Sequence, residues 1–462
     1  ARRIVEGGYE VVSCQLPAVV TVAETGFTPR YPTMPGRTRA ARSEITVWGL
    51  AELGVAPDRA GLDASPTKVA HLTPVPAPER RCRFVGPGFG YDDLAAELHA
   101  LGVLQPGRPG VAAPAAAEHA EQPASAPSTD RPAVWVVCEL DDDGALAPVS
   151  NELLAKAHDL ATDLGGGVGA LVIAADPSRA IADTRSAGAD VVFVAAHPAL
   201  TPYRTLPHAR CVVDAVRRHR PAVLLFGATT TGRDLAPRVA AALDAGLAAD
   251  CTDLAVGGWE RRHVRYERLL HQIRPAMAGG VLATCVSPVV RPQMATVRPG
   301  AFAASPRPCR SLVVEIPVAI EPSDLVVEVV ERQVRPADVG LAEADVIVAG
   351  GAGCDSRTWP LVEALASAIG GRVAATRGAV EAGLAPRAQQ VGQTGVSVHP
   401  RLYVACGVSG ALQHVVGMRA ARVVVAVNRD PEALIFSVAS FGIVGDVADV
   451  LPALTEALRA AS

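Results

Sequence analysis

An α/β fold built from two parallel-sheet units is predicted, and three observations predict it. Between residues 133 and 243, continuous apolar runs alternate with helical patterns, as in a parallel sheet covered on both faces. The same alternation returns between residues 346 and 458. Before the first alternation lies QPGRPGVAAPAAAEHAEQPASAPSTDRP, residues 105–132, a Pro/Ala/Ser-rich run with almost nothing to bury and the composition of a flexible linker. The chain is thus expected to divide into an N-terminal segment (1–104), the linker (105–132), a first α/β region (133–330) and a second (331–462), the last two Rossmann-like.

Taken in order, the first strand-like run is Val11 to Val22. After the linker come a strand at Ala133 to Cys138, a helix at Asn151 to Leu164, and strands at Gly169 to Ala174 and Val191 to Ala195. A helix around Ala209 to Arg218, the strand Ala222 to Phe226 and a helix from Asp234 to Leu243 follow, then a β-rich stretch from Asp253 to Val330. The second region gives strands at Val346 to Ala349, Arg372 to Ala375, Leu402 to Ala405 and Val423 to Val427. Its helices are expected at Thr358 to Ile369, Ala411 to Met418 and Val447 to Leu458.

Composition excludes several classes. Lys and Arg total 43 against 47 Asp and Glu, a net charge of −4, which argues against a nucleic-acid binder driven by backbone charge. No run approaches the roughly 20 apolar residues of a membrane span, and residues 1–20 lack the order of a signal peptide. A cytoplasmic protein is expected. The nine cysteines make neither a CxxC pair nor a disulfide framework, and with the eleven histidines they never gather at ligand spacing, so no metal site is expected. Asp141 to Asp143 reads as a solvated turn.

Ligands of open parallel sheets bind at the carboxyl ends of the strands, and four consecutive strand ends of the second region run into Gly-rich or polar turns. The first, Gly350-Gly351-Ala352-Gly353-Cys354-Asp355-Ser356, is half of a dinucleotide fingerprint, with Ser356 where the third glycine would stand. The third, Gly407-Val408-Ser409-Gly410-Ala411, differs by one residue from a nucleophile elbow. His414, five residues on, is poorly placed to act as a base for Ser409. A hydroxyl and free N–H groups at a helix N-terminus suit a phosphate oxygen instead. His414 is either a packed core residue or one turned toward the ligand. Asn428 and Asp446, which end adjacent segments, either cap turns or hydrogen-bond an adenine edge and a ribose hydroxyl. Arg377 follows its strand and projects from the same edge, as a surface cation or a ligand contact.

The run from 389 onward contains VGQTG, GVSGALQHVVGM, VAVNRDPEALIF and GIVGD in that order. These blocks closely resemble the FAD-binding domain of the electron-transfer flavoprotein alpha subunit. Through GATTTGRDLAPRVAAAL, RPAMAGGVLATC and RPQMATVRPG the resemblance reaches back to about residue 131. It implies a nucleotide-hydrolase-like first domain and a second domain holding one FAD. It also implies site roles: Arg377 against the isoalloxazine, Thr394 near flavin N5, and His414 at the N1/C2 carbonyl edge. Thr376, Val391, Gly392, Gln393 and Gly395, with Ser409, Gly410, Ala411, Leu412 and Gln413, would line the flavin, ribityl chain and pyrophosphate, while Asn428, Asp446 and Val447 would hold the adenosine. Positive charge and a helix dipole at the N1/C2 edge would favour the charge that reduction places there. One departure is Ala352, where the family usually has an arginine; Phe441 and Leu434 are smaller ones.

EGGYEVVSCQLPAVVTV, PRYPTMPGRTRAARSEITVW and AELGV resemble the C-terminal third of the beta subunit of the same family. That likeness implies an extended beta-subunit tail over 1–104 and a docking loop, with Met34 as its apolar anchor and Arg37, Arg39 and Arg42 behind it for an acidic partner. It also implies a beta-type nucleotide-binding domain, upstream or on a separate chain, so that the sequence would be part of a beta-alpha fusion. The function so implied is an electron carrier with no substrate-transforming site of its own. It would take electrons from flavoprotein dehydrogenases such as acyl-CoA dehydrogenases and pass them to a quinone oxidoreductase or ferredoxin-type acceptor. Two alternatives are an FAD-binding structural or regulatory module without redox turnover, and part of a bifurcating flavoprotein that oxidises NADH.

Overall fold

The computed structural model describes residues 1–5, 8–22, 32–74, 81–104, 134–276, 281–334, 341, 344–396 and 398–460. The expected linker lies outside the described residues. In chain order the elements begin with β1 (Arg2–Val5), β2 (Gly8–Cys14), α1 (Met34–Arg42), α2 (Gly61–Ala64), β3 (Lys68–Pro74), β4 (Arg83–Phe84) and α3 (Tyr91–Ala100). Then come β5 (Val134–Cys138), α4 (Pro148–Leu164), β6 (Val168–Ala174), α5 (Ser178–Ser186), β7 (Val191–Ala196), α6 (Thr205–His219), β8 (Val223–Gly227) and α7 (Thr230–Ala242). The β-rich stretch holds β9 (Leu247–Cys251), β10 (Asp253–Arg261), β11 (Val264–Ala276), β12 (Val281–Val286), β13 (Gln293–Val297), β14 (Leu312–Glu315) and β15 (Val327–Val334). The remainder is β16 (Val346–Gly350), α8 (Trp359–Ala368), β17 (Arg372–Ala375), α9 (Arg377–Glu381), β18 (Leu402–Cys406), α10 (Leu412–Met418), β19 (Val423–Asn428), β20 (Phe441–Val444) and α11 (Val447–Ala460).

These elements fall into two compact units. In the first, seven parallel strands run in the order β14-β7-β6-β5-β8-β13-β9. Every residue of β5, β6, β8 and β13 is buried, which explains the apolar runs of the first three. Trp135, Phe193, Leu224 and Met294 of the sheet pack with Val212 of α6 and Leu235 and Val239 of α7. Trp135 lies over Gly169, where a Cβ would stand 2.6 Å from the indole Cδ1, so this strand position requires glycine. Two smaller sheets belong to the same unit: β10-β11-β12-β3, and β1-β2-β15.

Two expectations change here. The strand expected over Val11 to Val22 is Gly8–Cys14 alone, paired antiparallel with β15. Pro17 cannot donate to a ladder, and Leu16, Val19, Val20 and Val22 are exposed. Helix α5, which the sequence does not announce, buries only Ala180 and Thr184, a stripe too narrow to register as helical periodicity.

His208 on α6 is buried, and burial pulls its imidazole down to about 4. The neutral ring is therefore the folded form. Its contribution to stability is complete above the ordinary value of 6.5 and is lost as pH falls from there through about 4. A shift of this size corresponds to about 3 kcal/mol. Acidification from pH 7 to 4 is expected to lower the unfolding midpoint of the first unit more in the wild type than in His208→Gln, measured by circular dichroism.

The second unit carries a six-stranded parallel sheet, β17-β16-β18-β19-β20-β4. Val362 and Leu365 of α8 share one buried cluster with Leu451, Leu454 and Leu458 of α11. The edge strand β4 and helix α3 come from residues 81–104, and Leu94 and Leu98 of α3 are buried in the same cluster. At about 1.5–3 kcal/mol per buried leucine side chain, that docking is substantial. Of the N-terminal segment, residues 1–73 belong with the first unit and 81–104 with the second.

Candidate functional site at the carboxyl edge of the second sheet

The site begins where β16 and β18 end. Gly351 N–H donates to the Cys406 carbonyl at 2.8 Å and Gly353 N–H to that of Gly407 at 2.9 Å. A Cβ on Gly351 would lie 2.2 Å from the Gly407 oxygen, so the two turns touch only because glycine stands there. Beyond Gly407 the chain passes Ser409 and Gly410, the latter at φ +85°, and enters α10 through Ala411. No side chain caps that helix, and Ser409, Ala411, Leu412 and Gln413 are exposed at its entrance.

The second wall is the loop after β17. Thr376 caps α9, its hydroxyl accepting from Ala379 N–H at 3.4 Å, and Arg377 is the first helical residue. Arg377 Nε sits 2.7 Å from Glu381 Oε1 with both side chains mostly exposed, a pairing worth little in solvent. The neighbouring Gly378 would carry its Cβ 3.2 Å from that of Ala352, so the departure from the family arginine lies beside this cation. Val391 N–H donates to Ala375 O at 2.9 Å, and Gln393 N–H to Gln413 O at 2.6 Å. The VGQTG loop is thus tied to both β17 and α10. Gln393, Thr394 and Gly395 are exposed on it, with the Thr394 hydroxyl accepting from Gln390 Nε2 at 3.0 Å.

His414 lies behind the VGQTG loop. It is 6% exposed and turned inward. Nδ1–H donates to Val391 O at 3.0 Å, leaving Nε2 to accept from the Tyr403 hydroxyl at 3.0 Å. Burial holds its imidazole below the ordinary value, opposed by the bond to Val391. Both nitrogens being engaged, His414 is not placed as a base for Ser409, and the hydrolase reading fails on this geometry. Val391 and Val447 have buried side chains. Asn428 and Asp446 hold turns: the Asn428 amide donates to Val408 O at 2.9 Å and accepts from Asp430 N–H at 3.0 Å, and Asp446 accepts from Ala448 N–H at 2.9 Å.

Met34, Arg37, Arg39 and Arg42 lie on α1 of the first unit. A helix replaces the expected loop because Thr33 caps it, accepting from Gly36 N–H at 3.2 Å, and Pro35 suits a first turn. Met34 is 72% exposed and no residue of α1 is buried. Among the described residues no group of three or more His, Cys, Asp or Glu could hold a metal, and no helix is long and apolar enough to cross a membrane.

Exposed hydroxyl and amide groups, an uncapped helix entrance and one cation at the carboxyl edge of a parallel sheet suit a nucleotide cofactor with a pyrophosphate. The protein is thereby a nucleotide-binding α/β protein. Comparison with known proteins makes this specific. The electron transfer flavoprotein domain matches residues 134–322, and the electron transfer flavoprotein FAD-binding domain matches 340–419. The electron transfer flavoprotein subunit alpha of Thermoanaerobacterium thermosaccharolyticum is 39% identical over 330 residues, 71% of this chain and 97% of that protein. Protein FixB of Clostridium saccharobutylicum is 43% identical over 328 residues, 70% of this chain and 96% of that one. The alpha subunit of Megasphaera elsdenii is 40% identical over 333 residues, covering 71% and 96%. The chain belongs to the electron-transfer flavoprotein alpha-subunit family; its cofactor is FAD and its role is electron transfer.

Tyr403 and Gln390 are the residues that sequence reasoning passed over. Tyr403 stands inside an apolar strand and reads as core, and only its hydroxyl opposite His414 reveals a polar partnership.

Proposed function

We propose that this protein is a one-FAD carrier that accepts electrons from flavoprotein dehydrogenases, acyl-CoA dehydrogenases among them, and delivers them to a quinone oxidoreductase or ferredoxin-type acceptor in the cytoplasm. It transforms no organic substrate itself. Residues 1–104 act as a beta-subunit tail in a beta-alpha fusion, working with a beta-type nucleotide-binding domain supplied upstream or by another chain. Helix α1 is its docking element, Met34 the anchor and Arg37, Arg39 and Arg42 the cations that steer an acidic partner. The observation that carries this reading is the convergence of Arg377, the VGQTG loop and the entrance of α10 at one sheet edge, within the segment that matches the FAD-binding domain.

FAD, when bound, supplies reversible uptake of electrons. Ser409, Gly410, Ala411, Leu412 and Gln413 would receive its pyrophosphate through the hydroxyl and the uncapped N–H groups. Thr394 would offer its hydroxyl near N5. Arg377 would leave Glu381 to face the isoalloxazine, and His414, which holds the loop at Val391, would meet the N1/C2 edge. Asn428 and Asp446 would shape the turns beside the adenosine.

Arg377→Ala is expected to lower the midpoint potential, because a cation favours the reduced and more negative cofactor. A hydrogen bond to a charged group is worth about 1.5–3 kcal/mol, and about 1.4 kcal/mol corresponds to ~60 mV for one electron. The drop should therefore reach ~60 mV or more in a spectroelectrochemical titration. The carrier role is tested by mixing the FAD-loaded protein with an acyl-CoA dehydrogenase and its substrate. Bleaching of the flavin band supports it; a loaded protein that no dehydrogenase bleaches overturns it.

A further inference from the structure

The geometry points to Glu139 as an internal carboxyl group that closes the first unit's sheet to nucleotide, and we propose that it determines where the cofactor binds. This inference rests on the FAD assignment to the second unit. Both units share a strand arrangement: β5 lies between β6 and β8, as β16 lies between β17 and β18. Each sheet reverses its direction of growth there, at the point where open parallel sheets take their ligands.

The residue that follows the strand differs between the two. After β16 stands Gly351, whose absent side chain lets the turns meet. After β5 stands Glu139, half-buried, with its backbone pinned on both sides by the buried Ser150. Glu139 N–H donates to Ser150 Oγ at 2.8 Å, and the same hydroxyl donates to Glu139 O at 3.0 Å. The carboxylate is thereby aimed at the entrance of α7, a helix of 13 residues.

There a hydroxyl meets it. Thr229, the N-cap of α7, accepts from Gly232 N–H at 2.9 Å and presents its hydroxyl to Glu139 Oε1 and Oε2 at 2.8 and 2.7 Å. Oε1 lies 2.6 Å from where a Cβ on Gly227 would stand and 3.2 Å from one on Gly232. The carboxylate thus occupies the hollow between two glycines at the positive end of a helix, the place a phosphate takes in glycine-lined nucleotide sites. A phosphate arriving there would meet an occupied hollow and a hydroxyl already engaged.

The test compares wild type, Glu139→Ala and Glu139→Gln, each loaded with FAD, using AMP as the probe in isothermal titration. Glu139→Ala is expected to bind AMP about tenfold more tightly than the wild type or better, with a melting temperature that rises on adding AMP. Glu139→Gln, which keeps the bond to Thr229 without the charge, should show a smaller gain. If Glu139→Ala fails to fold, Glu139→Gln decides alone. The proposal is overturned if the folded variants bind AMP no more tightly than the wild type. FAD counted by its visible absorbance keeps the readings apart: a wild type without FAD contradicts the cofactor assignment, whereas full FAD with no gain in AMP binding contradicts only the role of Glu139.

Discussion

Gly410→Ala is expected to strip FAD from the protein and to destabilise the second unit by about 2–5 kcal/mol, combining ~1–2 kcal/mol for a left-handed backbone with ~1–3 for overpacking. Gly410 has φ +85°, and a Cβ there would stand 2.1 Å from Ile435 N and 2.5 Å from Leu434 C. Both are backbone atoms of the short turn Leu434–Val438, which cannot yield as a flexible side chain would. Ile435 N–H is bonded to Ser409 O at 3.2 Å, so displacing the turn also displaces Ser409 and the entrance of α10. The ratio of flavin absorbance to protein should fall to a small fraction of the wild-type value, with a lower melting temperature. A variant that keeps its full flavin complement would show that this turn does not shape the cofactor site.

His414→Leu carries the second large effect. The substitution strands the hydroxyl of fully buried Tyr403 and the carbonyl of Val391 at about 1–3 kcal/mol each. Because Val391 opens the VGQTG loop, flavin release should quicken along with the loss of stability. Tyr403→Phe removes one of the two bonds and should cost less. Acid should mimic the larger change. The folded imidazole lies below its ordinary value of 6.5 chiefly through burial, so its stabilisation is complete above that value and is lost as pH falls through the folded one. Wild-type FAD retention should decline on acidification, and His414→Leu should flatten that dependence. A variant with wild-type melting and flavin release at neutral pH would rule out the coupling.

Much of this fold was legible because its signals are local. A buried parallel strand is an unbroken apolar run, and each strand end carries its turn glycines and polar residues with it, which is why Arg377, Ser409 and the VGQTG loop could be located. What escaped notice depends on distant partners. Strand β4 has two residues and exists only because Phe441 and Gly442 pair with it. The inward turn of His414 is set by Tyr403, eleven residues away on another element. Asn428 and Asp446 have side chains equally suited to a ligand or a turn, and the turn is what the structure contains. The resemblance to the beta subunit implies a loop at Met34, yet proline in a first turn with Thr33 as the cap begins a helix.

The central claim is that the second unit makes this chain an FAD electron carrier. It is tested most directly by supplying the purified protein with FAD, recording the visible spectrum, and titrating it with dithionite and then with air. A yellow protein with one FAD per chain that bleaches and recovers its colour is expected. A protein that stays colourless after incubation with FAD, or binds flavin that cannot be reduced and reoxidised, would contradict it.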